Sequence, residues 1–131
     1  FIAQRWRREK MVVIVDPNHS WANRKVIKPD LLLSEPMIGG EVGTGTATLL
    51  RRLFGKKSDK IKIKMTLGST EAVKSAVKAG LGVSVVFSSA VEEERKTGSL
   101  SVLRVSGIDF SKELFVVIPE QTPPDAPSRL F

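Results

Sequence analysis

The segment GSTEAVKSAVKAGLGVSVVF, residues 68–87, places one helix directly before one buried strand. Ser69 is a favourable N-cap, Glu71 suits the positive end of a helix, and Gly80 is typical of the residue after a helix end. The apolar residues between them recur at helical spacing and predict one buried face. They are Ala72, Val73, Ala76 and Val77. The run LGVSVVF at 81–87 then predicts a buried strand, so the segment as a whole indicates an α/β fold.

Strands and helices alternate on both sides of this segment. Further strands are predicted at residues 11–15, 36–38, 61–67, 100–107 and 113–120, and further helices at 44–54 and 88–98. One helical turn is predicted around Pro29. Alternating strands and helices are typical of βαβ units, so we predict a mostly parallel sheet with flanking helices. The 131 residues are enough for one domain or a part of one.

Two of these elements carry polar patterns that bear on function. Strand 61–67 alternates apolar and polar residues, which predicts one solvated face; its apolar members are Ile61, Ile63, Met65 and Leu67. In helix 88–98, Ser89 and Glu92 predict a capping box, and Gly98 ends the helix. The acidic run 92–94 is interpreted as a solvated helix face near the positive end of the helix, and not as a metal site.

Composition restricts the kinds of function open to the chain. The absence of Cys excludes disulfides, thiolate metal sites and cysteine nucleophiles, and it is compatible with the cytoplasm. No apolar run approaches the roughly 20 residues needed to cross a bilayer, so no membrane partner is predicted. The net charge of +7 would suit nucleic acid, but many of the Lys and Arg residues are divided between a cluster at 5–10 and a spread over a helix end and a strand face at 51–64, which favours a solvated surface. The opening FIAQRWRREK has no signal-peptide pattern and is interpreted as interior to a longer chain.

Three junctions between a strand and the following helix carry hydroxyl side chains: GGEVGTGT at 39–46, GST at 68–70 and SSA at 88–90. In an open α/β sheet, ligands bind outside the carboxyl ends of parallel strands, where helix N-termini present N–H groups. Convergence of these junctions favours a small anion such as a carboxylate or sulfate. The first junction lacks the Lys of a phosphate loop and the third glycine of a dinucleotide fingerprint. A glycine turn without a ligand remains the alternative.

No catalytic constellation is predicted. His19 is the only histidine and has neither a Cys nor a second His with which to bind a metal, so a turn or capping role is favoured. No serine has an evident histidine partner, and the motif G-x-S-x-G does not occur. Trp6 and Trp21 are interpreted as packing residues. We therefore predict no catalytic residue, no metal and no cofactor.

Three segments taken together resemble the effector-binding domain of LysR-type transcriptional regulators. Residues 68–107 are similar to that family's Gly-Ser-Thr-Glu-Ala helix, its Ala-Gly-Leu-Gly turn, and the strand, acidic helix and Gly-x-Leu strand that follow. EPMIGGEVGTGTATLL at 35–50 resembles Glu-Pro-Leu-Ile-Leu-Arg-Glu-Pro-Gly-Ser-Gly-Thr. VVIVDPNHSWANRK at 12–25 resembles Val-Val-Pro-Pro-x-His-Pro-Leu-Ala. The resemblance covers residues 8–120.

The resemblance implies a fold like the type 2 periplasmic binding proteins, incomplete at its N-terminal side, with an effector in a cleft between two subdomains. Residues 1–15 would be the end of the first subdomain and a hinge strand, 16–99 the second subdomain, and 100–131 the return hinge strand and a remnant of the first subdomain. The family's cleft-lining Gly-Ser-Gly-Thr turn falls here on Gly43, Thr44, Gly45 and Thr46. Ser69 and Thr70 complete the predicted effector site. Gly39 and Gly40 stand where Leu and Arg are usual, which argues against an Arg-assisted anion site.

The implied function is that of a regulatory sensor and not of an enzyme. The effector would be a small anionic metabolite, and DNA would be bound only through an N-terminal winged helix-turn-helix outside this chain. The implied assembly is a cytoplasmic homodimer or higher homo-oligomer. The alternative is a solute-binding protein of a transporter, which has a similar fold and the same kind of cleft. A small anion-dependent enzyme is a third class, for which no catalytic pair is found.

Overall fold

Strands, α-helices and 3-10 helices follow one another along the part of the chain that the structure describes. The computed structural model describes residues 2–40, 50–51, 54–106 and 111–118, and side chains within 10–40, 50–51 and 54–106. The strands are β1 Ile2–Val15, β2 Val26–Ile27, β3 Pro36–Gly39, β4 Lys62–Thr66, β5 Ser84–Phe87, β6 Ser101–Val105 and β7 Ser111–Ile118. The α-helices are α1 Thr70–Lys78 and α2 Glu92–Thr97, and the 3-10 helices are Pro29–Ser34, Gly55–Lys60 and Ser88–Val91.

Most of the predicted elements are confirmed. The strand predicted at 11–15 is the second part of the longer β1, and the turn predicted at Pro29 is the 3-10 helix Pro29–Ser34. Leu50 and Phe54 are helical and buried, in agreement with the helix predicted at 44–54, most of which lies outside the described residues. The short β2, which pairs with β6, has no counterpart among the predicted strands.

The sheet combines parallel and antiparallel pairs. β3 pairs in parallel with β4, and a bridge between Met37 and Val83 joins β3 in parallel to the segment that leads into β5. β1 is antiparallel to β5, β6 and β7. The α/β class is confirmed, but the expectation of a mostly parallel sheet is wrong around β1, whose pairs are all antiparallel. Alternation of strands and helices sets the direction only of strands that follow one another through a helix, and β1 is not connected to its sheet neighbours in that way.

The hydrophobic core lies on both faces of β1. Met11, Val13 and Val15 belong to one buried cluster, together with Trp21, Leu32, Met37, Leu50, Phe54 and Leu103. Val12 and Ile14 belong to a second cluster, together with Ile38, Val73, Val77, Val86, Val91 and Leu100. A strand covered on both faces has no solvated side, which explains why MVVIV is apolar at every position. The packing role predicted for Trp21 is confirmed, and the side chain of Trp6 lies outside the described residues.

Helix α1 begins and ends as its sequence predicts. The Ser69 hydroxyl oxygen accepts a hydrogen bond from the Ala72 N–H at 3.1 Å, which is the N-cap bond. At the other end, Gly80 has a φ of +77°, and the Gly80 and Leu81 N–H groups donate to the carbonyls of Val77 and Ala76. This pattern is a Schellman motif, which favours glycine because a Cβ is strained at positive φ.

Strand β4 departs from its predicted alternation. Met37 pairs with Ile63 and Ile38 pairs with Met65, so a register shift falls between them. Met65 packs against the second core cluster, whereas Ile63 is 51% exposed. The expectation that Ile63 and Met65 share one dry face is therefore wrong. An irregularity of one residue changes the face of the sheet to which the following side chains belong, and a period-two pattern carries no sign of it.

Helix α2 differs from its prediction at its start and on one face. Ser89 lies within the 3-10 helix Ser88–Val91, and α2 begins only at Glu92, so the predicted capping box does not start this helix. Gly98 ends the helix at a φ of +78°, as predicted. The acidic run is not wholly solvated, because the side chain of Glu94 is only 13% exposed. The structural reason is a lysine that approaches Glu94 from α1.

Candidate functional site

The carboxyl ends of β3, β4 and β5 lie at one edge of the sheet. Gly39, the last residue of β3, pairs with Thr66, the last residue of β4, and the Leu67 N–H donates to the Gly39 carbonyl at 3.0 Å. On the other side of β3, the Ile38 N–H donates to the Val83 carbonyl at 2.8 Å. Parallel neighbours end at the same edge, so the three hydroxyl-bearing junctions predicted from the sequence begin there. We call this region the carboxyl edge.

Only the beginning of the glycine-rich junction is described. Gly39 and Gly40 enter it, whereas Gly43, Thr44, Gly45 and Thr46 lie outside the described residues. A Cβ added at Gly39 would stand 3.1 Å from the Thr66 hydroxyl oxygen. The small residue at 39 therefore accommodates the exposed Thr66 hydroxyl beside the backbone of β3. Sequence analysis did not single out Thr66, because its place in an alternating strand indicates only a solvated face.

The second junction combines a capping role with an exposed surface. Ser69 accepts the cap bond from Ala72, and its hydroxyl proton is still available for donation to a ligand. Ser69 and Thr70 are both exposed at the start of α1. The positive end of the dipole of this nine-residue helix lies there, which favours negative charge nearby. The geometry is compatible with both residues contacting an anion at the carboxyl edge.

A buried lysine connects helix α1 to the third junction. Lys74 of α1 has a side chain only 7% exposed, and its Nζ lies 2.9 Å from the Ala90 carbonyl oxygen, in the 3-10 helix that follows β5. The same Nζ lies 2.8 Å from Glu71 Oε1 and 2.9 Å from Glu94 Oε2. The cost of burying the Lys74 ammonium is thus offset by three oxygen acceptors. Sequence reasoning missed Lys74, because a lysine between apolar helix positions ordinarily marks the solvated side.

The pKa values of Lys74 and Glu94, the two members of this ion pair, are both shifted. Burial of the Lys74 ammonium lowers its pKa, but the hydrogen bonds and charges of Glu71 and Glu94 outweigh that cost and hold the pKa above its ordinary value. The pKa of Glu94 is lowered, first by the hydrogen bond from Lys74 and then by its own backbone N–H, against the opposing effect of burial. Lys78, whose Nζ is 3.8 Å from Glu94, adds a further positive charge. Both groups are therefore charged at neutral pH.

His19 belongs to a structural turn away from the carboxyl edge. Its Nδ1 accepts from the Trp21 N–H at 3.0 Å, and its Nε2 lies 3.0 Å from Glu35 Oε1. Glu35 immediately precedes β3, so this contact lies at the amino end of that strand. The turn role predicted for His19 is confirmed. Among the described residues, no group of three or more His, Cys, Asp or Glu side chains could hold a metal ion.

The basic side chains between residues 56 and 64 lie on the surface. Lys56, Lys57 and Lys60 of the 3-10 helix and Lys62 and Lys64 of β4 are all exposed. Lys57 pairs with Asp30 at 3.6 Å across exposed surface, a contact of small energetic weight. This distribution agrees with the interpretation of the net positive charge as a solvated surface. In the described parts of the chain, no helix combines the length and the apolar character that a membrane span requires.

Comparison with known proteins places this architecture in a family. The sequence matches the LysR substrate binding domain over residues 1–131, and the chain belongs to that family. It is 31% identical over 118 residues to a RuBisCO operon transcriptional regulator of Acidithiobacillus ferrooxidans, covering 90% of this chain and 38% of the relative. It is 33% identical over 107 residues to the transcriptional activator CmpR of Synechocystis, covering 82% of this chain and 35% of CmpR. The chain thus spans little more than a third of the length of these relatives.

Solved structures agree with the family assignment. The regulatory domain of Synechocystis CcmR in complex with 2-PG superposes with a TM-score of 0.74 at 26% identity, over 87% of this chain and 55% of that one. The effector-binding domain of QuiR in complex with shikimate has the same TM-score at 18% identity, over 87% of this chain and 53% of that one, and supports the fold alone. The fold like that of the type 2 periplasmic binding proteins is therefore confirmed. The Acidithiobacillus and Synechocystis relatives are both transcriptional regulators, so the alternative of a transporter solute-binding protein is set aside.

Proposed function

We propose that this chain is the effector-sensing part of a LysR-type transcriptional regulator and that it binds a small anionic metabolite at the carboxyl edge. The observation that carries the proposal is the meeting of β3, β4 and β5 at one edge, where each strand leads into a hydroxyl-bearing junction. The binding residues would be Gly43, Thr44, Gly45, Thr46, Ser69 and Thr70. The role is sensing, without a catalytic step.

The subdomain division expected from the sequence belongs to the same proposal. Residues 16–99 would form the second subdomain, and residues 1–15 and 100–131 would cross to the first one. The pairing of β1 with β6 and β7 supports this division, because the crossing segments then form neighbouring strands. An effector held between the subdomains would favour one interdomain geometry over the other, and only that difference in affinity shifts the equilibrium.

The partners proposed for the whole protein are those that the family implies. DNA would be bound by an N-terminal winged helix-turn-helix outside residues 1–131. The protein would work in the cytoplasm as a homodimer or a higher homo-oligomer, because the effector signal must change how paired DNA-binding domains are arranged. The basic surface around β4 would not be the DNA-reading surface.

Titration calorimetry of the full chain tests the effector site. The probe is 2-PG, the ligand of the CcmR complex, followed by a panel of other phosphorylated and carboxylated metabolites. Thr44→Ala and Thr46→Ala are expected to weaken binding of whichever probe binds by about tenfold each, the effect of losing one hydrogen bond to a charged group. Thr97→Ala, which removes a hydroxyl at the far end of α2, is the matched control. Unchanged affinity in both threonine variants would overturn the site assignment.

A further inference from the structure

The Lys74 Nζ contacts the Ala90 carbonyl, in the third junction, and Glu71, the residue that follows the second junction. We propose that Lys74 is a positioning residue, whose buried ammonium holds the first turn of α1 and the 3-10 helix after β5 at a fixed separation. The role of this fixed separation in ligand binding rests on the proposed function, since Ser69 caps α1 and Ser88 begins the 3-10 helix. The geometric part of the proposal does not depend on any ligand.

The three acceptors of Lys74 come from three different segments. Glu71 belongs to the first turn of α1, Ala90 to the 3-10 helix Ser88–Val91, and Glu94 to α2. An ammonium group has three N–H donors, and the three distances of 2.8 to 2.9 Å use all of them. The Lys74 Nζ therefore sets the position of α1 relative to the 3-10 helix Ser88–Val91 and to α2.

The charge of Lys74 constrains the geometry of its contacts more than it stabilises the fold. A buried ion pair recovers little more than the cost of desolvating its members, and an apolar side chain of the same length often stabilises a fold equally well. An apolar contact has no preferred direction, whereas three charge-assisted hydrogen bonds fix both distance and angle. Fixed geometry is what a wall of a binding site requires, because every displacement of a donor weakens its bond to the ligand.

The three contacts of Lys74 differ in importance according to how deeply they are buried. Glu71 is 83% exposed, so solvent screens its contact with Lys74. Glu94 and the Ala90 carbonyl form the inner arm, where burial makes each bond costly to lose. Glu71→Gln is therefore a control that leaves the inner arm intact.

Amide hydrogen exchange in the full chain tests the positioning role. Lys74→Met keeps the apolar stem but leaves Glu94 without its main partner, so it is combined with Glu94→Gln to remove the uncompensated charge. In this double variant we expect only a small decrease in the urea midpoint, because the Ala90 carbonyl loses its charged donor while the charge of Glu94 is removed. We also expect exchange at 88–91 to be about tenfold faster or more, with β5 unchanged. Glu71→Gln should leave both measurements unaltered.

Lys74→Arg keeps the test decisive if the double variant does not fold. It retains a positive charge beside Glu94, but a planar guanidinium cannot reproduce the three directions of an ammonium. Faster exchange confined to 88–91 in either folded variant would support the proposal. Exchange that is unchanged there, or that rises evenly through the whole molecule, would show that Lys74 contributes only to stability and would overturn it.

Ligand binding separates this inference from the proposed function. If the wild type binds 2-PG or another member of the panel, the double variant should bind it about tenfold more weakly while remaining folded. Unchanged affinity would contradict a role at the effector site. If the wild type binds no probe, the proposed function loses its support, whereas the exchange experiment still decides whether Lys74 positions the two segments.

Discussion

Gly82 lies against the backbone of Pro36, so closely that a Cβ added at Gly82 would stand 2.7 Å from the Pro36 carbonyl oxygen. The Val83 N–H donates to that same oxygen at 2.9 Å. Ser84, buried at the start of β5, donates its hydroxyl to the Ile38 carbonyl at 2.7 Å. These contacts hold β3 beside β5, and they therefore determine that the first and third junctions open at one edge.

Gly82→Ala is expected to destabilise the fold by about 2 kcal/mol or more, because backbone atoms of β3 would have to move to admit the new methyl group. The measurement is the free energy of unfolding from urea titration followed by circular dichroism. Gly68→Ala is the matched control, since a Cβ there meets nothing within 4 Å. Equal stabilities of the two variants would contradict the close approach of the strands.

Ile63 and Ile38 test the irregular register of β4. Ile38→Ala removes a side chain that is 1% exposed and should cost about 2 to 5 kcal/mol. Ile63→Ala truncates a side chain that is half exposed and should cost less than about 1 kcal/mol. Urea unfolding of the two variants makes the comparison. A large loss at Ile63 would mean that β4 keeps the regular alternation that its sequence indicates.

Ser69 has a capping role that can be separated from its predicted binding role. Ser69→Ala removes the cap of α1 and should lower the free energy of unfolding by about 1 kcal/mol. Ser69→Asp preserves the cap, so stability should remain near that of the wild type. Its negative charge should nevertheless weaken binding of an anionic probe such as 2-PG by about fivefold. Undiminished binding in the aspartate variant would place the anion away from Ser69.

The ion pair of Lys74 and Glu94 predicts how stability depends on pH. The pKa of Glu94 is lowered in the folded state, so its contribution is complete above the unfolded value of about 4.3 and is lost as pH falls through the folded value. The pKa of Lys74 is raised, so its contribution is complete below about pH 10.4 and is lost at still higher pH. Between neutral and acid pH, the urea midpoint of the double variant Lys74→Met/Glu94→Gln should therefore fall less steeply than that of the wild type. An identical acid slope in both proteins would contradict this assignment.

The limits of helix α1 were determined by the sequence alone. Its cap at Ser69, its apolar face and its termination at Gly80 depend on interactions within one or two turns, which the order of residues specifies directly. The three junctions could be predicted to meet for a similar reason. Strands that follow one another through helices are parallel and end at one edge.

Only the tertiary structure decided which strands lie beside β1, which face Ile63 occupies and where the ammonium of Lys74 lies. The apolar run of β1 shows that both faces are buried but not which strands pair with it, because hydrophobicity has no direction. The register shift in β4 arises from pairing with β3 and leaves no pattern within β4. Lys74 is buried because α2 and the 3-10 helix after β5 bring the acceptors Glu94 and Ala90 to it across the fold. Interactions between residues close together in the sequence therefore determined helix α1 and its cap. Contacts between residues distant in the sequence determined the geometry of the candidate site.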